Sequence, residues 1–282
     1  HLNYHKTMEN YLEAKSKLFK ETKSSGFSII NIDDEYSKEI SNASCGSVVY
    51  YGKNSNADFR FFDIVINDDY TLFKLEYKDT IYDIESPLLG EFNVYNLTSA
   101  LATLTLIGYN INDFDLSLLK VDGRMTDINL GQDFKVIVDY AHTPNGYLNL
   151  FKFTKTLKFK RNIVVAGSAG ERDKTKRPIM GKILVDNADI VIFTGEDPRS
   201  EEIEDIIDDL TSEVREFTDK YLIIPDRKTA IKTAIELADT SDMVMILGKG
   251  NETYQAMKDG KVYFNDVEET KNALKEKLGI KV

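Results

Sequence analysis

The amino-acid sequence predicts an α/β protein whose second half is a mostly parallel sheet covered by helices, and three observations carry that expectation. First, five short runs have the length and β-branched content of buried strands: Lys135-Val136-Ile137-Val138, Asn162-Ile163-Val164-Val165-Ala166, Ile190-Val191-Ile192-Phe193, Tyr221-Leu222-Ile223-Ile224 and Met243-Val244-Met245-Ile246-Leu247. Second, helical stretches separate them. The clearest spans residues 201–217, where Ile203, Ile206, Ile207, Leu210, Val214 and Phe217 share one face. Third, strand and helix alternate, which is the pattern of a Rossmann-like domain.

Residues 1–121 have a different texture, so two domains are expected, 1–121 and 122–282. Thr7 is placed to cap a helix running to about Lys20. Segments near 47–52, 59–66, 70–77 and 80–85 then alternate apolar and polar residues, with turn signals at 67–69 and 78–80. A helix follows at about 92–108, ended by Gly108.

Bulk properties narrow the function. The chain has 282 residues, enough for two packed domains, and 42% are hydrophobic, enough for a sizeable core. The net charge of -11 supplies no basic footprint for phosphates, so no nucleic-acid partner is expected. One cysteine, Cys45, excludes a disulfide framework and fits a reducing compartment. The apolar runs are of strand length, so neither a membrane span nor a signal peptide is expected. The chain begins at His1 instead of Met, so its start is expected to be a boundary within something longer.

In an open parallel sheet, ligands bind beyond the carboxyl ends of the strands. The five loops there hold Asp139-Tyr140-Ala141-His142-Thr143-Pro144, Gly167 to Pro178, Thr194 to Glu201, Pro225-Asp226-Arg227-Lys228 and Gly248-Lys249-Gly250-Asn251-Glu252. Arg172, Lys174, Lys176, Arg177, Arg199, Arg227 and Lys249 all fall in them. One such loop would be explained by solvation alone. Five on one edge of an acidic protein predict a cationic rim for an anionic ligand such as a nucleotide or carboxylate. A phosphate loop needs Gly, four residues, then Gly-Lys-Ser/Thr. Residues 170–175 lack the Gly before Lys174, and Asn251 follows Gly250, so neither stretch qualifies.

In the first helix, Met8, Tyr11, Leu12, Leu18 and Phe19 share a face with Lys15. Burying an ammonium is costly. Either its stem covers apolar surface while the amine reaches water, or a neutral amine is held for reaction; the helix alone favours the first. His1 and His5 are spaced i, i+4, a weak metal signal without a third ligand nearby. His142 is isolated and reads as structural.

Taken together, several segments resemble the Mur ligases, most closely their E-type branch. They are His1-Leu2-Asn3-Tyr4-His5, Thr7-Met8-Glu9-Asn10-Tyr11, Ala14-Lys15, Asn31-Ile32-Asp33-Asp34, Phe92-Asn93-Val94-Tyr95-Asn96, Gly123-Arg124-Met125, Val138 to Pro144, Arg172 to Pro178, Asp197-Pro198-Arg199-Ser200-Glu201, Asp226-Arg227 and Gly248-Lys249-Gly250. They run in family order along the whole chain. The resemblance implies that residues 1–121 are the later part of the central ATPase domain and 122–282 the C-terminal Rossmann-like domain, with the UDP-binding domain and phosphate loop outside the chain.

The resemblance also implies a chemistry. ATP phosphorylates the carboxylate of a UDP-muramoyl-dipeptide, and the amine of an incoming amino acid attacks the acyl phosphate, with Mg2+ neutralising charge. By the same resemblance, His1 matches a magnesium ligand and Lys15 the lysine whose carbamate helps hold magnesium. Asn93, Asn96, Arg124 and Asp139 match nucleotide-contacting positions. Arg172, Asp197, Arg199, Gly248 and Glu252 fall where the family binds the incoming amino acid. Family members that add meso-diaminopimelate typically read Asp-Asn-Pro-Arg; here Glu196-Asp197-Pro198-Arg199 stands, and Asn251 replaces a His. Arg199 suits a distal carboxylate and Asp197 an amine, which points to meso-diaminopimelate or an analogue such as lanthionine, with L-lysine still open. The implied setting is cytoplasmic cell-wall synthesis by a monomer, this stretch being inactive alone. The alternatives are a relative resembling cyanophycin or folylpolyglutamate synthetases, and a non-catalytic amino-acid-binding module.

Overall fold

The computed structural model describes residues 7–67, 69–217 and 219–280, and the chain divides into two compact units, 1–120 and 121–282.

In the first unit, α1 (Met8–Lys20) starts where Thr7 accepts a hydrogen bond from the Asn10 amide at 3.2 Å. Strand β1 (Phe27–Asn31), α2 (Ser37–Ala43), β2 (Ser47–Gly52), β3 (Phe59–Ile66), β4 (Thr71–Tyr77), β5 (Thr80–Ser86) and α3 (Glu91–Leu106) follow. The strands lie in sequential order in one sheet. β1, β2 and β3 are parallel, whereas β3, β4 and β5 form an antiparallel meander. Alternation explains which side is covered. Phe59, Phe61, Phe73, Leu75 and Ile84 point one way and pack against Val94, Leu97 and Leu101 of α3. Asp33 closes the turn after β1. Its carboxylate accepts the Lys53 amide at 2.6 Å, the Asn54 amide at 3.2 Å and the Tyr95 hydroxyl of α3 at 3.0 Å.

Helix α1 differs from expectation. Among its residues only Ser16 is buried, and Leu18 is 72% exposed. Lys15 is exposed too, its ammonium 5.5 Å from the centroid of the Tyr11 ring, so the stem lies along apolar surface while the charge stays in water.

The second unit contains β6 (Thr126–Asp127), β7 (Lys135–Asp139), α4 (Pro144–Thr154), β8 (Asn162–Ala166), α5 (Lys176–Asn187), β9 (Ile190–Phe193), α6 (Ile203–Thr211), β10 (Tyr221–Ile223), α7 (Arg227–Leu237) and β11 (Met243–Leu247). A hairpin of β12 (Tyr254–Met257) and β13 (Gly260–Tyr263) precedes α8 (Asp266–Leu278). The sheet order is β10-β9-β8-β11-β7-β6, parallel except for β6 on β7. Val136, Val138, Ile163, Val165, Ile192, Val244 and Ile246 form a core with Ala230, Ile231, Ala234 and Ile235 of α7 and Leu274 of α8. Each fully buried Val, Ile or Leu contributes about 1.5–3 kcal/mol. The alternate strand residues face the other side, where α4, α5 and α6 pack in succession.

The helix expected over 201–217 is shorter. After Thr211 the chain continues in tighter turns, with the Val214 amide bonded to the Thr211 carbonyl and the Phe217 amide to that of Val214. Thr211 and Ser212 turn their hydroxyls onto the Ile207 and Asp209 carbonyls, competing with the helical ladder. Val214 is buried, but Phe217 is exposed.

One buried ion pair joins the two ends of this unit's second face. Arg227 and Asp266, each the first residue of a helix, are both fully buried and bonded through two contacts of 2.8 and 2.7 Å. Removing one partner leaves a buried charge unpaired, which costs about 3–5 kcal/mol. Asp266→Ala is therefore expected to lower the unfolding free energy by that much, whereas an Arg227→Met, Asp266→Leu double substitution is expected to lose less. Equal losses in urea unfolding for the single and double variants would contradict this reading.

Candidate functional site

The strand order reverses direction around β11. The chain moves outward through β8, β9 and β10, with α5 and α6 on one face, then returns through α7 on the other face to insert β11 between β8 and β7. Such a switch point opens a crevice at the carboxyl ends of these strands.

The loop after β7 forms one wall. Asp139 is buried, and its two oxygens accept the Met125 amide at 2.8 Å and the Ala141 amide at 2.7 Å. Burial raises its pKa, outweighing those hydrogen bonds and the nearby Arg124. Asp139 thereby ties the Gly123-Arg124-Met125 turn to the strand end. The turn has no room to spare: a Cβ on Gly123, at φ 72°, would lie 2.1 Å from the Asn251 amide nitrogen. Arg124 is exposed, its guanidinium 4.5 Å above the Tyr140 ring, a cation–π stack on the rim of the crevice. His142 hydrogen-bonds the Tyr140 carbonyl oxygen through Nδ1 at 2.7 Å, and burial lowers its pKa.

The loop after β8 is held from below. Arg177, fully buried, donates to Glu201 at 2.9 Å, to Asp209 at 2.8 Å and to the Ala169 carbonyl at 3.1 Å. The Arg177 hydrogen bonds pull the Glu201 carboxyl down to about 2. Arg172 is exposed on this loop. Arg199, from the loop after β9, holds an uncommon φ of 54°. Its amide donates to the Ala256 carbonyl at 2.9 Å, and its Nη1 donates to the Gly170 carbonyl, bringing the two loops together.

Acidic groups converge beside Gly248, where φ is 115°. Glu196 and Asp197 are both buried. Lys249 is fully buried, and its ammonium donates to Asp197 Oδ1 at 2.7 Å and Glu252 Oε2 at 2.8 Å. The Ala256 amide also donates to Asp197 Oδ1, at 3.0 Å. Glu196 Oε2 lies so close that a Cβ on Gly248 would sit 2.4 Å from it. Burial pushes the Glu196 carboxyl up to about 6, although Arg227 and Lys249 oppose the shift. Glu196 Oε2, Arg227 Nη1, the Tyr147 hydroxyl and Ser168 Oγ are buried without a hydrogen-bond partner among the described residues. Buried polar groups left without a partner in this way call for a polar one.

The expected cationic rim is thus only partly a rim. Arg177, Arg227 and Lys249 are interior, each matched to carboxylates, because a buried cation is tolerated only when paired. Arg124, Arg172 and Lys174 remain exposed. Among the sequence-chosen residues of the second unit, Asp197, Gly248 and Glu252 gather in one cluster, Arg199 adjoins it through Ala256, and Arg124 and Asp139 share the neighbouring wall. In the first unit, Asn93 is buried at the start of α3 and donates to the Leu89 carbonyl at 2.8 Å, and exposed Asn96 donates to Asn93 Oδ1 at 3.3 Å. His1 lies outside the described residues. Among the described residues no group of three or more His, Cys, Asp or Glu side chains could hold a metal. Glu196 and Tyr147 escaped sequence reasoning. An acid in the loop just past a buried strand, three residues beyond Phe193, was a usable signal for Glu196; nothing local marks Tyr147.

A mostly parallel sheet that reverses its order at a polar switch point is the architecture of Rossmann-like α/β proteins. The family follows from comparison: the Mur ligase middle domain is matched over residues 1–104, and the Mur ligase glutamate ligase domain over residues 123–250. The chain belongs to the Mur ligase family. It is 41% identical over 281 residues to a UDP-N-acetylmuramyl-tripeptide synthetase of Borreliella afzelii, covering 97% of this chain and 56% of that protein. It is 40% identical over 276 residues to a UDP-N-acetylmuramoyl-L-alanyl-D-glutamate--2,6-diaminopimelate ligase of Fusobacterium nucleatum, covering 95% and 56%. The chain therefore spans a little over half the length of these curated relatives. A solved 2,6-diaminopimelate ligase is 32% identical, with a TM-score of 0.59 over 99% of this chain and 58% of that one. The MurF ligase of Thermotoga maritima in complex with ADP, at 18% identity, shares the fold with a TM-score of 0.72 over 99% and 60%. A folylpolyglutamate synthase of Mycobacterium tuberculosis, at 19% identity, does so with 0.66 over 91% and 56%.

The raised Glu196 carboxyl makes a pH prediction. The folded state holds this proton up to about pH 6, whereas an unfolded Glu releases it near 4.5. Folded protein thus binds more protons across that window, and stability falls as pH rises through it. Glu196→Gln is expected to remove that fall and to be more stable than the parent at pH 7.5 by about 1–2 kcal/mol. Urea unfolding at pH 4.5 and 7.5 measures it; parallel pH dependence in both proteins would refute the assignment.

Proposed function

We propose that this chain is the amino-acid-selecting part of an ATP-dependent ligase that adds a diamino acid to UDP-N-acetylmuramoyl-L-alanyl-D-glutamate in peptidoglycan synthesis. The observation that carries the proposal is the cluster beside Gly248, where Asp197 and Glu252 lie within hydrogen-bond reach of one buried lysine and Arg199 stands next to them. A carboxylate pair suits an amine and a guanidinium suits a carboxylate, the two groups that a diamino dicarboxylic acid carries together at its distal end. Meso-diaminopimelate or an analogue such as lanthionine offers both groups there; L-lysine has the distal amine but no distal carboxylate. The identity of about 40% to tripeptide-forming relatives supports this reading over one based on folylpolyglutamate synthases, where identity is 19%.

In this reading Arg172, Asp197, Arg199, Gly248 and Glu252 bind the incoming amino acid, and Asn93, Asn96, Arg124 and Asp139 contact the nucleotide. The Arg124 guanidinium stacked on Tyr140 offers an exposed cation for phosphate, and Asp139 fixes the turn that carries it. ATP supplies the phosphoryl group that activates the acceptor carboxylate. Magnesium, with His1 and a carbamylated Lys15 as its ligands, would neutralise the charge of the transferring phosphoryl group. We place the enzyme in the cytoplasm; among the described residues no helix is long and apolar enough to cross a membrane.

Calorimetry of the chain against meso-diaminopimelate, lanthionine and L-lysine tests the assignment. The dicarboxylic acids are expected to bind more tightly than L-lysine, and Arg199→Ala is expected to weaken them by about 1.5–3 kcal/mol, the worth of a hydrogen bond to a charged group, while leaving L-lysine less affected. Equal losses for all three ligands, or none, would count against the carboxylate clamp.

A further inference from the structure

The segment Asn31-Ile32-Asp33-Asp34 lies at the carboxyl end of β1. Asn31 and Asp34 serve their own turns: Asn31 Oδ1 accepts the Asp33 amide at 3.0 Å, and Asp34 Oδ1 accepts the Tyr36 amide at 2.9 Å. Asp33 reaches further. Its Oδ2 accepts the Lys53 amide at 2.6 Å and the Tyr95 hydroxyl at 3.0 Å, and its Oδ1 accepts the Asn54 amide at 3.2 Å. Gly52 permits the approach, since a Cβ there, at φ 151°, would sit 2.5 Å from Asp33 Oδ2. Burial, and after it the bond to Asp33, raise the Tyr95 hydroxyl above the ordinary tyrosine value, so it is protonated and donates.

These contacts converge on the first turns of α3. Gly90 stands before the helix at φ 93° and supplies no side-chain cap. Order at this end comes instead from three tethers: Tyr95 to Asp33, Glu91 to the Lys53 ammonium at 2.7 Å, and Asn93 Nδ2 to the Leu89 carbonyl at 2.8 Å. Asp33 serves two of them, because it holds Tyr95 directly and also holds the backbone of Lys53. Tyr95 falls between Asn93 and Asn96, and its ring meets Phe61 edge to face at 4.7 Å. The ring is thus anchored to β3 and the hydroxyl to the turn after β1. Asp33 itself is exposed, so water competes for its bonds and they contribute modestly to folding. Asn93 is buried, whereas exposed Asn96 has a bond of 3.3 Å to Asn93 Oδ1, so its aim depends on the backbone that carries it.

We infer that Asp33 is a positioning residue for the nucleotide: through Tyr95 and Lys53 it fixes the first turns of α3 and so aims Asn96 at its ligand. The inference rests on the proposed nucleotide role of Asn93 and Asn96. Its physical content is a chain of contacts in which each link has one job. The carboxylate holds a hydroxyl and a loop amide, the hydroxyl and the loop lysine hold the helix, and the helix carries the contacting amide. A contacting group is only as well aimed as the residues that support it.

The test uses the 282-residue chain with ADP as the probe, calorimetry for affinity and circular dichroism melts for stability. Tyr95→Phe removes one hydroxyl and keeps the ring on Phe61; it is expected to weaken ADP on the order of fivefold with its melt nearly unchanged. Asp33→Ala also frees the Lys53 loop and is expected to weaken ADP on the order of tenfold. Asp33→Asn keeps an acceptor oxygen for the Lys53 amide and the Tyr95 hydroxyl, and is expected to stay within about twofold of the parent. Because the Tyr95 hydroxyl acts through Asp33, the Asp33→Ala, Tyr95→Phe double variant is expected to lose no more than Asp33→Ala alone. A role confined to folding would shift the melts and leave the ADP affinity where it was. Unchanged affinity in Tyr95→Phe and Asp33→Ala, losses that multiply in the double variant, or an Asp33→Asn chain as weak as Asp33→Ala each overturn the inference. Asn96→Ala checks the reading beneath it. A parent chain that does not bind ADP, or an Asn96→Ala chain that binds it as tightly as the parent, overturns the nucleotide role of α3 and the inference with it. Should Asp33→Ala fail to fold, Tyr95→Phe and Asp33→Asn carry the test.

Discussion

The bidentate pair between Arg227 and Asp266 is the constraint on which the second unit depends. It links the first residue of α7 to the first residue of α8, and the remaining donor of the same guanidinium nitrogen reaches the Leu247 carbonyl at 2.8 Å, the last residue of β11. One side chain therefore fixes the point at which the central strand ends and the Gly248 loop begins. Everything above it inherits that position: the turn at Gly248, the floor lysine at 249 and the carboxylates that lysine holds. A hydrophobic substitute could fill the volume, but it could not hold a strand-end carbonyl, a helix terminus and the field felt by Glu196 at once.

A similar device recurs beneath the neighbouring loop, where Arg177 binds Glu201, Asp209 and the Ala169 carbonyl. In both cases a planar guanidinium satisfies backbone and carboxylate groups together, which an ammonium does less well. The protein thus uses arginines as struts under its strand-end loops and leaves other cations, Arg124 and Arg172, at the surface. The negative overall charge obscures this division, since most of the acidic residues take no part in it.

The strands were legible because buried parallel strands are short unbroken apolar runs, and β7, β8, β9 and β11 occur where such runs stand. The antiparallel strands of the first unit were legible by alternation. The helix after β9 was overread at its end, because apolar spacing continued through Val214 and Phe217 while Thr211 and Ser212 diverted the backbone bonds. Sequence showed which loops carry charge but not which charges are inside. Arg227 finds Asp266 far along the chain, and nothing local announces that pairing. For Lys15 the helix alone favoured an amine that reaches water, and the residue is exposed, although Leu18 on the same face is exposed as well. Such distinctions depend on tertiary packing, which periodicity does not encode.

The contact between Gly123 and Asn251 has a consequence for how this protein can change over time. The turn that carries Arg124 and the loop that carries Lys249 and Glu252 touch backbone to backbone, with no side chain to act as a cushion. An insertion or a bulkier residue in either loop would displace the other, so the two loops cannot diversify separately. Change at these loops is therefore channelled into side chains such as those at 197 and 251, whose replacement alters chemistry without moving the backbone, while the path of the main chain through both loops is held in common.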